Sequence, residues 1–289
     1  MSDSGNKPAW GFTDTELATI ATVFASDALK DQVVLISGGG SGLGKAMAYL
    51  FTRLGAKVMI CGRTESKLIA TAEGIHKHLG AEIGYLATNI RVPEEVSALM
   101  QATWDRFGAL DVLVNNGGGQ FPQAAIDFSV KGWNAVIDTN LNGTWYMMQA
   151  AARLWQDQNH AGNIVNIVAT VQRGMPQVAH TCAARAGVIY LSKSLSTEWA
   201  PLKIRVNCVA PGCVETEGFN VYPPEGVATF KNSNPMLTLG DAFDIAQAVV
   251  YLAADSGKFV TGELINVDGG HQQWGEFWPG GKPDYFKVD

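Results

Sequence analysis

The run Ser37-Gly38-Gly39-Gly40-Ser41-Gly42-Leu43-Gly44-Lys45 follows an apolar stretch, Val33-Val34-Leu35-Ile36, and leads into an amphipathic one. So much glycine at a strand-to-helix junction admits few folds, and phosphate-binding turns are foremost among them. Gly39 to Lys45 has the spacing GxxxxGK, but Ala46 stands where a triphosphate loop needs a Ser or Thr hydroxyl for magnesium. The spacing GxGxxG fails too, because no three glycines of the run fall at those offsets. Gly38-x-x-x-Gly42-x-Gly44 fits a turn that brings backbone N–H groups to a pyrophosphate at a helix N-terminus. By this reading Ser37, Gly38, Gly40, Ser41, Gly42, Leu43 and Gly44 bind a dinucleotide.

From residue 32 onward short apolar runs alternate with longer amphipathic ones. The expected strands are Gln32–Ser37, Lys57–Cys61, Glu82–Ala87, Asp111–Val114, Asn163–Val168, Arg205–Val209 and Leu264–Val267. The expected helices lie at 42–54, 64–79, 93–107, 132–157, 178–199 and 241–253, several closed by Gly or Pro. This alternation predicts an α/β fold: a single doubly wound (Rossmann) parallel sheet of about seven strands with helices on both faces. The dinucleotide-binding and catalytic domain spans 31–270. It follows an N-terminal extension, 1–30, in which Leu17, Ile20 and Phe24 suggest a short helix from Asp14 to Phe24. A C-terminal tail, 271–289, closes the chain.

Composition narrows the class. The 289 residues include 32 glycines, an excess of about 12 over the usual share, and the excess forms neither a Gly-X-Y period nor a linker tract. With 21 basic and 27 acidic residues the net charge is −6, which argues against a nucleic-acid partner. Cys61, Cys182, Cys208 and Cys213 show no CxxC pattern and read as reduced thiols, and no spacing suits a metal. The N-terminus lacks an apolar signal core, no apolar run is long enough to span a membrane, and Lys287-Val288-Asp289 is no peroxisomal address. The expectation is a soluble cytoplasmic protein.

The end of the second strand selects the cofactor. A carboxylate there would accept hydrogen bonds from the ribose hydroxyls of NAD. Instead the sequence reads Met59-Ile60-Cys61-Gly62-Arg63-Thr64. A guanidinium suits a 2′-phosphate by charge and by bidentate geometry, so Arg63 favours NADPH.

Together these features resemble the short-chain dehydrogenase/reductase family over about residues 30–270. Asn115-Asn116-Gly117-Gly118 is similar to the family's Asn-Asn-Ala-Gly, and Asn140-Leu141-x-Gly143-Thr144 resembles the helix carrying its catalytic asparagine. Pro211-Gly212-x-Val214-x-Thr216 and Val260-Thr261-Gly262 through Gly270 resemble its nicotinamide segment and its last strand. The resemblance implies that Asn89 and Ile90 flank the adenine and that Asn116, Gly117 and Gly118 line the ribose. Pro211, Gly212, Val214 and Thr216 would hold the nicotinamide, and the assembly would be a homotetramer.

The active site departs from that pattern. Alignment through Ala183-Ala184-Arg185-Ala186-Gly187-Val188 puts Thr181 at the family's tyrosine, Arg185 at its lysine and Ala169 at its serine. Tyr190 and Lys193 have the wrong spacing for the missing pair and read as packing. Reducing a ketone needs a strong acid at the nascent alkoxide, whereas reducing an enoyl thioester spreads charge into the thioester oxygen, where hydrogen-bond donors suffice. Asn140, Thr181 and Arg185 are the candidate catalytic donors. Gln120, Phe121, Tyr146, Thr170 and His180 are candidate substrate contacts, and 215–237 is a candidate lid. The runs 115–121 and 180–188 resemble the peroxisomal trans-2-enoyl-CoA reductases and, more distantly, the 2,4-dienoyl-CoA reductases. In the dienoyl relatives Ser and Lys occupy the places of Thr181 and Arg185. The expected reaction is NADPH-dependent reduction of the 2,3 double bond of an enoyl-CoA or similar acyl thioester. An alcohol or aldehyde dehydrogenase (or ketoreductase) of unusual mechanism and a non-catalytic NADPH-binding protein remain as alternatives.

Overall fold

The structure is a computed structural model that describes residues 10–222 and 224–274. Its first half runs α1 (Asp14–Thr19), β1 (Val33–Ser37), α2 (Gly42–Arg53), β2 (Lys57–Gly62), α3 (Glu65–Leu79), β3 (Gly84–Ala87), α4 (Pro93–Phe107) and β4 (Val112–Asn115). The remainder comprises α5 (Val130–Ile137), α6 (Gly143–Asp157), β5 (Gly162–Ile167), α7 (Ala179–Glu198), β6 (Ile204–Pro211), β7 (Val214–Glu215), α8 (Pro224–Val227), β8 (Gly240–Asp241), α9 (Ala242–Ala253) and β9 (Leu264–Val267).

Every residue of β1 is buried. Its continuous apolar run, without polar alternation, belongs at the centre of a parallel sheet covered on both faces. The seven-stranded sheet has the order β3-β2-β1-β4-β5-β6-β9, and all its pairings are parallel. The order reverses between β1 and β4, where the diverging strand ends open a crevice. Tyr49, Leu50 and Phe51 of α2 and Phe243 and Val250 of α9 fill the core on one face. Leu99 of α4 and Met147 and Trp155 of α6 fill it on the other. Gly80 and Gly108 close α3 and α4 in the left-handed conformation.

The seven long strands lie within two residues of their expected ends, and Leu264–Val267 coincides. Three features differ from expectation. A capping box between Thr13 and Glu16 starts α1, but the helix ends at Thr19, and Ile20 leaves it at ψ 135°. The β-branched run Thr19, Ile20, Thr22, Val23 disfavours helix, yet Ile20 and Phe24 still reach the core from extended chain. The helix expected at 132–157 starts at Val130, under a Ser129 cap, and is interrupted by a π turn at Asp138–Asn142. Finally, β7 and β8 form a two-residue parallel pair at the base of the candidate lid, too short to leave any period in the sequence.

Trp155 is fully buried, and its indole N–H donates to the Leu110 carbonyl at 2.6 Å. Its ring lies so close to Gly162 that a Cβ there would overlap it. Gly162→Ala should therefore cost about 1–3 kcal/mol, read as a lower denaturant midpoint at unchanged slope. Gly226→Ala, with open space at its Cβ position, should stay within about 0.5 kcal/mol of the parent. Equal midpoints for the two variants would contradict the packing described.

Candidate active site

The floor of the crevice is tied together by Ser37 at the end of β1. Its Oγ accepts the backbone N–H groups of Asn116 and Gly117 at 3.1 and 2.9 Å. In return the Asn116 amide donates to the carbonyls of Ser37 and Gly38 at 3.1 and 3.3 Å. Gly38 and Gly42 both take left-handed φ angles, 69° and 51°, which turn the chain from strand into helix. A Cβ on Gly44 would overlap the Gly38 carbonyl oxygen, so α2 packs directly on the turn that precedes it. The Ser41 side chain makes no capping hydrogen bond. The start of α2 therefore presents backbone donors and positive dipole to an anion. The side chain of Leu43 packs into the core, leaving only its backbone to the crevice.

A cleft of about 170 Å³ continues from this turn, lined by Gly38, Gly40 and Ser41 on one side and by Asn89, Ile90, Gly117 and Gly118 on another. Arg63, Thr64 and Lys67 also line it, and among the described residues no carboxylate does. Lys67 is a residue that sequence reasoning missed, although a second cation four positions after Arg63, in the first turn of a helix, is a legible signal. Thr88 and Thr139 also line the cleft; the topology brings them there, and nothing local in the sequence marks them. Ile90 packs tightly against both Gly117 and Gly143. The Asn89 side-chain oxygen is taken up by the Arg91 guanidinium at 3.1 Å.

Helix α7 brings three polar side chains to the other end of the crevice. His180, Thr181 and Arg185 are all buried, and His180 Nε2, Thr181 Oγ1 and Arg185 Nη1 have no hydrogen-bond partner. Thr181 and Arg185 are one turn apart and so share a face. The guanidinium lies against Gly118, where a Cβ would overlap Arg185 Nη2, and close to where it would meet the Asn140 carboxamide oxygen at 3.0 Å. Burial pushes the Arg185 pKa down to about 10, with the nearby Cys208 thiol opposing the shift. Because that pKa lies below the ordinary arginine value, the penalty for burying the cation applies in full at every pH below about 10. A buried charge and a buried hydroxyl without partners mark a place shaped for a polar ligand.

The remaining predicted residues separate into several places. Asn140 sits in the π turn, and its amide both accepts from Gly119 N–H at 3.0 Å and donates to Gly119 C=O at 2.9 Å. These two bonds hold the loop that carries Gly118 against the π turn. His180 is stacked on Phe128 at 4.5 Å and meets Phe121 edge-on at 4.7 Å, and its Nδ1 accepts from Thr181 N–H at 2.7 Å. Burial lowers its pKa, opposed by the carbonyls of Val178 and Phe121, so the ring is neutral near pH 7 and anchors the start of α7. Gln120 donates to the Tyr222 hydroxyl at 2.7 Å, linking this loop to the lid.

Tyr146 is not brought to the site. It is half-buried on α6 and packs against the core on the α4 and α6 side. Thr170 opens into a separate cavity of about 280 Å³ with Arg173, Ser233, His271 and Trp274. Pro211 ends β6, and Gly212 presses on Asp268 and donates its N–H to Val267. Val214 is buried in the core, and the Thr216 hydroxyl accepts from Gly218 N–H at 3.3 Å. Tyr190 is 70% exposed with the Lys193 ammonium over its ring, so this pair faces solvent rather than packing inside. Phe277, Trp278 and Tyr285 of the tail lie outside the described residues. A larger cavity, about 500 Å³, lies at the opposite end of the sheet beside Gln32, Asp111, Gly162 and Ile204. Parallel sheets bind ligands at the carboxyl ends of their strands, which makes the smaller cleft the candidate site.

The chain is similar to known reductases and dehydrogenases. The profile of a family described as enoyl-(acyl carrier protein) reductase matches residues 38–272. The chain is 37% identical over 251 residues to a probable 2,4-dienoyl-CoA reductase of Bacillus subtilis (strain 168), covering 85% of this chain and 98% of that one. It is 35% identical to a peroxisomal 2,4-dienoyl-CoA reductase of Mus musculus, covering 86% of each. Among solved structures, a citronellol catabolism dehydrogenase of Pseudomonas aeruginosa PAO1 superposes with a TM-score of 0.78 at 32% identity, covering 87% of this chain and 99% of that one.

The unpartnered guanidinium yields a test. Arg185→Met removes the buried charge at similar volume, so the ligand-free protein should gain thermal stability, by roughly 2–4 °C for each kcal/mol of relieved desolvation. The same variant should bind dinucleotide far more weakly. A lower melting temperature together with unchanged dinucleotide affinity would show that Arg185 is satisfied and serves only the fold.

Proposed function

The chain belongs to the short-chain dehydrogenase/reductase family, and on that premise we propose that it uses NADPH to reduce the 2,3 double bond of an enoyl-CoA or similar unsaturated acyl thioester. The observation that carries this reading is the α7 face. Thr181 Oγ1 and Arg185 Nη1 are buried without partners one helical turn apart, and the Arg185 guanidinium lies against Gly118. By the family resemblance Ala169 takes the serine position, and the pair Tyr190 and Lys193 faces solvent rather than the crevice.

The residues fit a dinucleotide on three counts. The glycine turn is closed to any side chain at Gly44, the start of α2 offers backbone donors, and the buried Arg185 and Thr181 lack partners. The nicotinamide, when bound, supplies the hydride. Arg185 would hold the adjoining ribose hydroxyls; permanently charged, it orients and stabilises but gives up no proton. Thr181 would donate its hydroxyl hydrogen to the thioester oxygen, where negative charge develops. Asn140 acts indirectly, pinning Gly119 and thereby the floor under the substrate. Arg63 and Lys67 would receive the 2′-phosphate at the far end of the cleft. In this reading the enzyme works as a cytoplasmic homotetramer.

A second reading, reduction of a 2,4-dienoyl-CoA, is favoured by the names of the relatives in Bacillus and mouse. It demands the same stabilisation of charge on the thioester oxygen, relayed through one more double bond.

Two measurements test the proposal. In a panel of trans-2-enoyl-CoA, 2,4-dienoyl-CoA, ketone and alcohol substrates, NADPH oxidation should be fastest with enoyl-CoA; turnover confined to ketones or alcohols would end the thioester reading. Arg63→Asp should raise KM for NADPH by at least about tenfold more than KM for NADH, on the scale of one lost charge-assisted contact. Equal losses for the two cofactors would remove the 2′-phosphate argument.

A further inference from the structure

The backbone N–H of Gly42, the first residue of α2, already has an anionic partner. Glu217 Oε2 accepts it at 3.1 Å. Gly42 belongs to the turn that would cradle a dinucleotide's diphosphate, so a carboxylate of the protein itself stands on a donor needed by the cofactor.

Glu217 begins the short 3-10 turn Glu217–Val221, the first turn of the candidate lid. This turn is held from several sides. Gly11 N–H donates to the neighbouring Glu215 carboxylate at 3.2 Å, and the Trp10 ring packs edge-on against Phe219 at 5.6 Å. At the far end Tyr222 accepts from Gln120. The N-terminal segment, to which the dinucleotide reading gives no part, thus braces the root of the lid while Glu217 seats it on the helix terminus. Lys45, one turn into α2, is paired with Asp14 of α1, so this cation is already neutralised by the same N-terminal segment.

We propose that Glu217 is an internal competitor for the cofactor's diphosphate. In the free enzyme its carboxylate occupies the Gly42 N–H and holds the lid root against α2. Dinucleotide binding transfers that N–H to the diphosphate, and like-charge repulsion expels Glu217 and frees the root of the lid. Cofactor affinity and lid position are thereby coupled through one hydrogen bond. The inference rests on the reading of the glycine turn as a dinucleotide site.

The test uses the full chain and two probes, NADPH and adenosine 2′-monophosphate, which reaches the Arg63 end but has no diphosphate. Glu217→Gln keeps an acceptor without charge, and Glu217→Ala removes the acceptor. Both should bind NADPH about three- to tenfold more tightly than the parent, the scale of one charge at a helix terminus. Both should bind adenosine 2′-monophosphate as the parent does, and the gain for NADPH should shrink as salt screens the carboxylate. In hydrogen exchange the Gly42 amide should be protected in the free parent, lose protection in free Glu217→Ala, and regain it with NADPH. NADPH affinity that is unchanged or weaker in both variants would overturn the proposal, as would an equal gain for adenosine 2′-monophosphate. A parent that binds neither NADPH nor NADH would overturn the dinucleotide reading and this inference with it.

Discussion

Helix α2 begins so close to the turn it leaves that Gly44 has no room for a side chain against the Gly38 carbonyl. That contact sets the dimensions of the crevice. It places the positive end of a helix dipole at the carboxyl end of β1, beside β4, where the strand order reverses. The bonds between Ser37 and Asn116 then lock the two diverging strand ends to the same turn. Arg63 and Lys67 at one end and Arg185 at the other are arranged around this fixed point, Arg63 in the short link between β2 and α3, Lys67 on α3 and Arg185 on α7.

Arg185 is the site's main cost. A guanidinium buried to 7% exposure, with Nη1 unpaired, is unfavourable at neutral pH, and a structural residue would not be kept there. The fold tolerates it because α7 is held independently. Val188 and Leu195 are buried in the core, and His180 stacks on Phe128 and meets Phe121 edge-on at the helix start. The site therefore stores an unsatisfied charge on a rigid element, ready-oriented for a polar ligand. This is a local loss of stability in exchange for preorganisation.

The crevice also has a movable side. The segment that follows β6 crosses the start of α2 with Glu217 on Gly42, and further on reaches Tyr222 to Gln120, in the loop carrying Gly118. Both links are single, solvent-facing hydrogen bonds, weak beside the buried network of Ser37 and Asn116. Rigid floor and loosely tied roof are what a site needs when it must admit a large ligand and then surround it.

Much of this was legible in the chain. The buried strands announce themselves as continuous apolar runs, the glycine spacing identifies the turn, and Arg63 marks the end of the second strand, because each signal is local and each residue acts through its immediate neighbours. Where the sequence reading failed, the deciding contacts were distant. Nothing near Asn140 says that its amide will be spent on Gly119, or that a π turn will break the helix there. The helical spacing of Leu17, Ile20 and Phe24 is a burial pattern that extended chain can also satisfy. Glu217 finds Gly42 from 175 residues away. The sequence by itself determined the parallel sheet, the glycine turn and the family, since these follow from periodicity and from glycine's lack of a side chain. Only the tertiary structure decided which polar groups are consumed by the fold and which are left for a ligand, because that depends on partners brought together across the sheet.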